Sequence, residues 1–278
     1  MSSSIQKEVK RPPLRYFGGK FLLAPWVLEH VPEHRGWVEP FGGGAGVLLR
    51  KTRAHSELYN DLDGEIVNFF KQLRDRGQEF VQYLELTPFS REAFEDSYRL
   101  RDSEDPFERA AALLIRNQFG FGSSSQSRKR KTGFRHSAYN NRHSSAQDWR
   151  NFPKHIPAIV DRLRGVVIEN RDYREIITKW DLEGTVIYCD PPYVHETRNS
   201  SERYAFEFTD ADHRQFRELL EGVKNAWVII SGYDCPLYQE LFADWQSVNR
   251  VHRTDRGTKR IETLWLSPNM PRIQPELF

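Results

Sequence analysis

Cysteine is almost absent: Cys189 and Cys235 are the only two in 278 residues. Two thiols cannot make a disulfide framework, and they cannot form a zinc site by themselves. That scarcity fits a reducing cytoplasm. No run of 18 apolar residues occurs, so no membrane span is expected. The first ten residues are polar and lack the apolar core of a signal peptide. The nine histidines show no metal-ligand spacing, so no metal site is expected; His213 and His252 read as surface or helix residues. The last scarcity is local. Residues 109–147 contain no Asp or Glu, yet carry eight basic groups: Arg109, Arg116, Arg128, Lys129, Arg130, Lys131, Arg135 and Arg142. The rest of the chain holds 33 basic against 39 acidic residues, a formal −6, although the whole chain is +2. Excess positive charge gathered in one segment of an otherwise acidic protein is the footprint of a polyanion-binding surface.

No internal repeat is visible. Residues 1–13 form an arm ending at Pro12-Pro13. Trp37-Val38-Glu39-Pro40 reads as a strand entering a glycine-rich turn, residues 41–46, after which Val47, Leu48 and Leu49 are expected to open a helix. A second strand around Leu58-Tyr59 ends at Asn60-Asp61. Residues 64–120 are mostly helical in pattern, with Ile66, Val67, Phe69, Phe70 and Leu73 at helical spacing. Residues 123–145, rich in Ser, Arg, Lys and Asn, break that pattern as a loop or hairpin. Strands and helices then alternate. Strands are expected at 166–168, 185–189, 226–230 and 263–266, and helices at 173–179 and after the capping box of Thr209 and Asp212, ending at Gly222. Alternation of this kind predicts an α/β fold with a largely parallel sheet. The helical, basic stretch reads as an insertion. The expected division is residues 1–63 with 150–278 as one domain and 64–149 as the inserted one.

Two motifs carry chemistry. In Glu39-Pro-Phe-Gly-Gly-Gly-Ala-Gly46, glycines between strand and helix let the backbone turn sharply beside a ligand. Ligands of open parallel sheets bind beyond the carboxyl ends of the strands, and Asp61 stands where ribose hydroxyls are commonly held. Nicotinamide and methyl-donor cofactors both remain allowed at that point. Asp190-Pro191-Pro192-Tyr193 decides between them. A carboxylate and a main-chain carbonyl, held by consecutive prolines, make two convergent acceptors beside an aromatic face. That set suits an exocyclic amino group: both N–H groups donate while the ring stacks on Tyr193, a contact of about 1–3 kcal/mol. Acceptors on both hydrogens favour a nucleophilic nitrogen and stabilise its developing positive charge. A cytosine-C5 mechanism needs a cysteine nucleophile, usually after a proline; Cys235 precedes Pro236 instead, and Cys189 reads as core.

Arg15-Tyr-Phe-Gly-Gly-Lys20, Glu39-Pro-Phe-Gly-Gly-Gly, Asn60-Asp61 and Asp190-Pro-Pro-Tyr193 occur in this order. In this the chain resembles the Dam-like (D12 class) DNA adenine-N6 methyltransferases, from Leu14 to about Pro268. The resemblance implies a Rossmann-like class I methyltransferase sheet with an inserted, mainly helical target-recognition domain. It implies S-adenosylmethionine as methyl donor, DNA as substrate, and a bacterial or phage-encoded enzyme. Tyr16 and Lys20 match the first motif and line the donor pocket, Lys20 near the donor's carboxylate. Glu39, Phe41 and Gly43 match the turn around the methionine moiety. Asp61 matches the residue on the ribose, and Asp172-Tyr173 resembles the pair on the donor's adenine. Asp190, Pro191 and Tyr193 match the target-base site, with Pro192 between them. Where the family often has a further glycine this sequence has Ala45 followed by Gly46, which shifts the turn slightly. The DNA-contact candidates are Arg15 in the first motif and, within the insert, Arg116, Asn117, Arg128, Lys129, Arg130, Lys131, Arg135 and Arg142, base readers at a groove followed by a phosphate-binding hairpin. Cytosine-N4 methylation, methylation of protein glutamine and a catalytically silent DNA-binding module are the rival readings. Asp190 in place of Ser or Asn favours adenine over the first two, and intact Lys20, Asp61, Asp190 and Tyr193 argue against the third. Finally, Gln274-Pro-Glu-Leu-Phe278 is similar to the short peptides by which bacterial DNA enzymes hold the replication sliding clamp, with Gln274, Leu277 and Phe278 in matching positions.

Overall fold

The structure is a computed structural model that describes residues 8–16, 18–121, 131–135, 144–197, 206–253 and 259–271. In chain order its elements begin with α1 (Ala24–Glu29), β1 (Gly36–Glu39) and β2 (Ser56–Asn60). A helical run follows: α2 (Gly64–Asp75), α3 (Gly77–Leu86), α4 (Arg91–Arg99), α5 (Pro106–Phe119), α6 (Ser145–Asn151) and α7 (Ile156–Leu163). Then come β3 (Val166–Glu169), α8 (Tyr173–Lys179), β4 (Thr185–Cys189), α9 (Asp210–Glu221), β5 (Trp227–Tyr233), α10 (Pro236–Leu241), β6 (Gln246–Arg253) and β7 (Lys259–Leu266). The strands form one seven-stranded sheet of order β3-β2-β1-β4-β5-β7-β6. β1 pairs parallel with β2 and β4, β4 parallel with β5, and β7 antiparallel with both β5 and β6. The expected α/β architecture is therefore present, with an antiparallel edge added.

The chain divides into two compact units: residues 1–24, 43–53 and 63–168 in one, residues 25–42, 54–62 and 169–278 in the other. The division runs through the glycine turn and through β3.

The helical unit is built around α5. Asp105 caps its start through the Phe107 amide, Pro106 fits its first turn, and every residue from Ala110 to Phe119 is buried. A helix apolar on nearly all sides must be surrounded. Phe69, Phe70, Leu73, Phe80, Phe94, Phe152 and Ile159 are fully buried in the same unit. Caps recur: Asp63 accepts from the Glu65 amide at α2, and Ser90 from the Ala93 amide at α4.

The second unit holds most of the sheet. Val38, Leu58, Ile187, Cys189, Val228 and Ile230 point from alternate strand positions into one core with Ile176, Ile177, Phe216, Leu220 and Trp265. Cys189 fills that core, as expected, and burial pushes its thiol well above the usual range. The capping box of Thr209 and Asp212 is formed, and α9 stops at Gly222. The expected helix after Gly46 is absent. Leu49 N–H reaches Ala45 O, and Arg50 and Lys51 N–H both reach Val47 O, each at 3.0 Å. These turns go no further, and β2 begins after nine intervening residues. Among the described residues, no helix is long and apolar enough to cross a membrane.

Candidate active site

In the sheet unit the candidate residues collect at the carboxyl ends of the parallel strands. Glu39 ends β1, is 2% exposed, and accepts from Trp37 Nε1 at 3.1 Å. Phe41 follows, packed against Tyr173 at 4.9 Å and against Phe208 and Phe216 at 5.7 Å. Asp61 follows β2 and is partly exposed; its main-chain carbonyl accepts from Asn170 Nδ2 at 2.7 Å. Asp172 caps α8 through the Arg174 amide (2.8 Å) and pairs with the Arg174 guanidinium at 3.1 Å. Burial raises the Tyr173 hydroxyl above its ordinary pKa, so that ring stays neutral.

Sequence reasoning gave Asn60 no role beyond marking a strand end, yet it ties three strand-end loops together. Fully buried, it donates from Nδ2 to Pro40 O (2.9 Å) and Arg171 O (3.0 Å). Its Oδ1 accepts from Arg171 N–H at 2.9 Å, and its main-chain carbonyl accepts from Gly42 N–H at 2.7 Å. The loops after β1, β2 and β3 are thereby locked at one side-chain amide. Only its place between a predicted strand and Asp61 hinted at this.

Asp190 lies one residue beyond β4 and is partly exposed. Its Oδ1 accepts from Ser231 Oγ at 2.9 Å, and Ser231 Oγ in turn accepts from Tyr188 OH at 2.9 Å. Tyr193 is buried; its hydroxyl donates to Glu262 on β7, and its ring meets Tyr233 edge-on at 4.7 Å. The Asp-Pro-Pro-Tyr turn is thus held at both ends by neighbouring strands. Ser231 and Glu262 escaped sequence reasoning.

The remaining candidates belong to the helical unit. The Tyr16 ring lies against the glycine turn: a Cβ at Gly43 would come within 2.7 Å of Tyr16 Cε1. Gly43 has φ +47°, and Ala45 takes φ 54°, the left-handed backbone that favours glycine. Lys20 is buried, and its ammonium donates to Gly18 O at 2.8 Å.

Two DNA-contact candidates have other work. Arg116 is 6% exposed and donates to the Ser97 carbonyl; burial lowers its pKa to about 10, so it keeps its charge. Asn117 is fully buried and grips the Arg15 peptide, accepting from its N–H (2.7 Å) and donating to its C=O (3.0 Å). Gln118 beside it donates to Pro13 O at 3.0 Å and accepts from Arg11 at 3.1 Å. These polar groups are satisfied internally and fasten the first motif to α5. Arg15 is partly exposed, as is Arg135, which pairs with Asp148 at 3.8 Å; Lys131 is exposed near the Tyr98 ring. Arg128, Lys129, Arg130 and Arg142, like Gln274, Leu277 and Phe278, lie outside the described residues. Among the described residues, no cluster of His, Cys, Asp or Glu could hold a metal ion.

A mixed sheet of this order, with acidic and aromatic groups at its carboxyl edge, defines a methyltransferase of the class I α/β type. Comparison narrows the class. The family model for D12 class N6 adenine-specific DNA methyltransferases matches residues 16–257. The chain belongs to that family. It is 25% identical to the DNA adenine methylase of Escherichia coli K12 over 89% of this chain and 91% of the relative. It is 26% identical to that of Vibrio cholerae serotype O1, covering 92% and 95%, and 24% identical to that of Haemophilus influenzae, covering 86% and 85%. The enzyme is a DNA methyltransferase acting on the N6 of adenine, and it requires a methyl donor.

Proposed function

We propose that the methyl donor is S-adenosylmethionine and that the acceptor is an adenine swung out of the duplex into a site walled by Asp190, Pro191, Pro192 and Tyr193. The observation that carries this reading is the position of Asp190 at the end of a central parallel strand, with its carboxylate bonded to Ser231. The donor set fits its ligand chemically. Glu39 and Asp61 offer carboxylates at adjoining strand ends, and Phe41 and Tyr173 form an aromatic wall suited to a purine. Asp172 adjoins that wall, and the resemblance of the first motif and the turn to those of the family assigns Tyr16, Lys20 and Gly43 to the donor as well. When bound, S-adenosylmethionine supplies an electrophilic methyl group on a sulfonium centre.

Asp190 and a main-chain carbonyl of the turn accept from the two N6–H bonds. This draws the nitrogen lone pair out of the ring and offsets the positive charge that grows on nitrogen. Tyr193 stacks the base. Extrusion costs a few kcal/mol, which contacts to the phosphate backbone can offset. The basic stretch with Arg15, Arg128, Lys129, Arg130, Lys131, Arg135 and Arg142 supplies those contacts, and the helical insertion serves as the target-recognition domain. The work is cytoplasmic, and the tail residues Gln274, Leu277 and Phe278 tether the enzyme to the sliding clamp.

The test is methyl transfer from labelled donor to plasmid, followed by mass spectrometry of the nucleosides. N6-methyladenine is expected; N4-methylcytosine would overturn the reading. Asp190→Ala should lower the single-turnover rate by at least roughly 100-fold while leaving donor affinity in place.

A further inference from the structure

The base-site carboxylate is oriented by a directed chain of hydroxyls that begins in the core of the sheet. β4 and β5 run parallel with Tyr188 opposite Ile229 and Cys189 opposite Ile230, so the next rung sets Asp190 beside Ser231. Strand alternation puts Tyr188 on the same face as Asp190. Ser231 is fully buried, and its Oγ stands 2.9 Å from both Tyr188 OH and Asp190 Oδ1. The direction of the chain is not free. A carboxylate accepts, so the serine proton points at Asp190, and the serine lone pair then receives the tyrosine proton. Burial holds the Tyr188 phenol well above its usual pKa, so it remains a donor at any working pH. The Trp37 ring stacks on Tyr188 with centroids 5.8 Å apart and planes within 14°, and Trp37 Nε1 donates to Glu39. The phenol is therefore fixed in position as well as in charge.

We propose that Ser231, backed by Tyr188, is a positioning residue that sets the plane of the Asp190 carboxylate for the target amino group. The inference rests on the reading of Asp190 as the acceptor for that group. A carboxylate turns easily about its Cβ–Cγ bond, and a bond from Ser231 to Oδ1 resists that turn. A transition state in which two N–H bonds meet fixed acceptors gains from this orientation; binding of the donor does not. The signature is a loss in the chemical step with affinities preserved.

The experiment measures four proteins, wild type, Ser231→Ala, Tyr188→Phe and Asp190→Ala. For each it records the single-turnover methylation rate, the affinity for S-adenosylmethionine, the affinity for duplex DNA and the melting temperature. Losing a hydrogen bond to a charged group should slow Ser231→Ala by roughly tenfold to a hundredfold. Tyr188→Phe removes a neutral bond and should slow by about two- to tenfold. Both should keep donor and DNA affinities within about twofold of wild type, because neither group is expected to touch a ligand. A wild-type rate in Ser231→Ala, with Asp190→Ala inactive, overturns the inference and leaves the base site standing. Donor affinity falling in parallel with rate also overturns it, because the serine would then be a general structural support. A wild-type rate in Asp190→Ala overturns the reading of the base site, and this inference with it.

Discussion

Gly42→Ala tests whether the glycine turn is set by packing, because the added methyl group has nowhere to go. A Cβ at Gly42 would stand 2.1 Å from Tyr59 Cε2, 2.5 Å from Cδ2 and 2.8 Å from Cζ. Tyr59 is fully buried on β2, so the ring cannot swing into solvent. The backbone must move instead, and it is held by the bond from Gly42 N–H to Asn60 O (2.7 Å) and by the Asn60 side chain on Pro40 and Arg171. Overpacking costs about 1–3 kcal/mol and a lost buried hydrogen bond about 1 kcal/mol, so the sum is about 2–4 kcal/mol. For a chain of this size that lowers Tm by roughly 3–7 °C. Glu39 and Phe41 flank the shifted peptide, and a binding site must be held to about 0.5 Å, so donor affinity should fall at least about tenfold. Differential scanning calorimetry and isothermal titration with S-adenosylmethionine measure both effects. Ala45→Gly is the control of opposite sign. At φ 54° it relieves left-handed strain, so stability should rise or stay level, within about 1 kcal/mol. A Gly42→Ala protein with wild-type Tm and donor affinity would refute the reasoning.

The remaining expectations concern single groups. Asp61→Ala should weaken S-adenosylmethionine by about 1–3 kcal/mol in calorimetric titration without DNA; unchanged affinity would make Asp61 a strand-end residue only. Arg116→Ala should destabilise by about 1–3 kcal/mol, since it strands the Ser97 carbonyl, yet leave the salt dependence of DNA binding as it was; a reduced slope would return Arg116 to the DNA surface. Replacing Arg128, Lys129, Arg130 and Lys131 with Ala should reduce the slope of log affinity against log salt by about 0.9 for each phosphate left without a cation, and an unchanged slope would show the run to be merely solvated. A fluorescent peptide of the last ten residues should bind purified sliding clamp at roughly micromolar affinity, and the pair Leu277→Ala with Phe278→Ala should abolish it; no binding at tens of micromolar by peptide or full chain would end that idea.

What the sequence made legible divides along a physical line. The glycine turn, the Asp-Pro-Pro-Tyr turn and the capping box of α9 were readable because in each the residue types themselves carry the conformation. Glycine tolerates a close approach, proline fixes φ, and Thr with Asp three residues on satisfies a helix start. Strand β6 was not readable. It is a sheet edge of sequence Gln-Ser-Val-Asn-Arg-Val-His-Arg, and charge on an edge strand guards against pairing with other chains while hiding the strand from a search for apolar alternation. The surroundings of Asn117 were hidden in another way. An amide beside an arginine in a basic segment reads as a base reader, and only the packing of α5 on every side reveals that it faces inward. Ser231 and Glu262 are the instructive omissions. They are ordinary residues whose roles exist only through strand register, 41 residues from Asp190 and 69 from Tyr193 respectively. A motif therefore records the groups that touch the ligand, because the reaction dictates their type. The groups that aim them need only a donor or an acceptor at the right rung, and many residue types provide one. Positioning must therefore be sought in the pairing of strands.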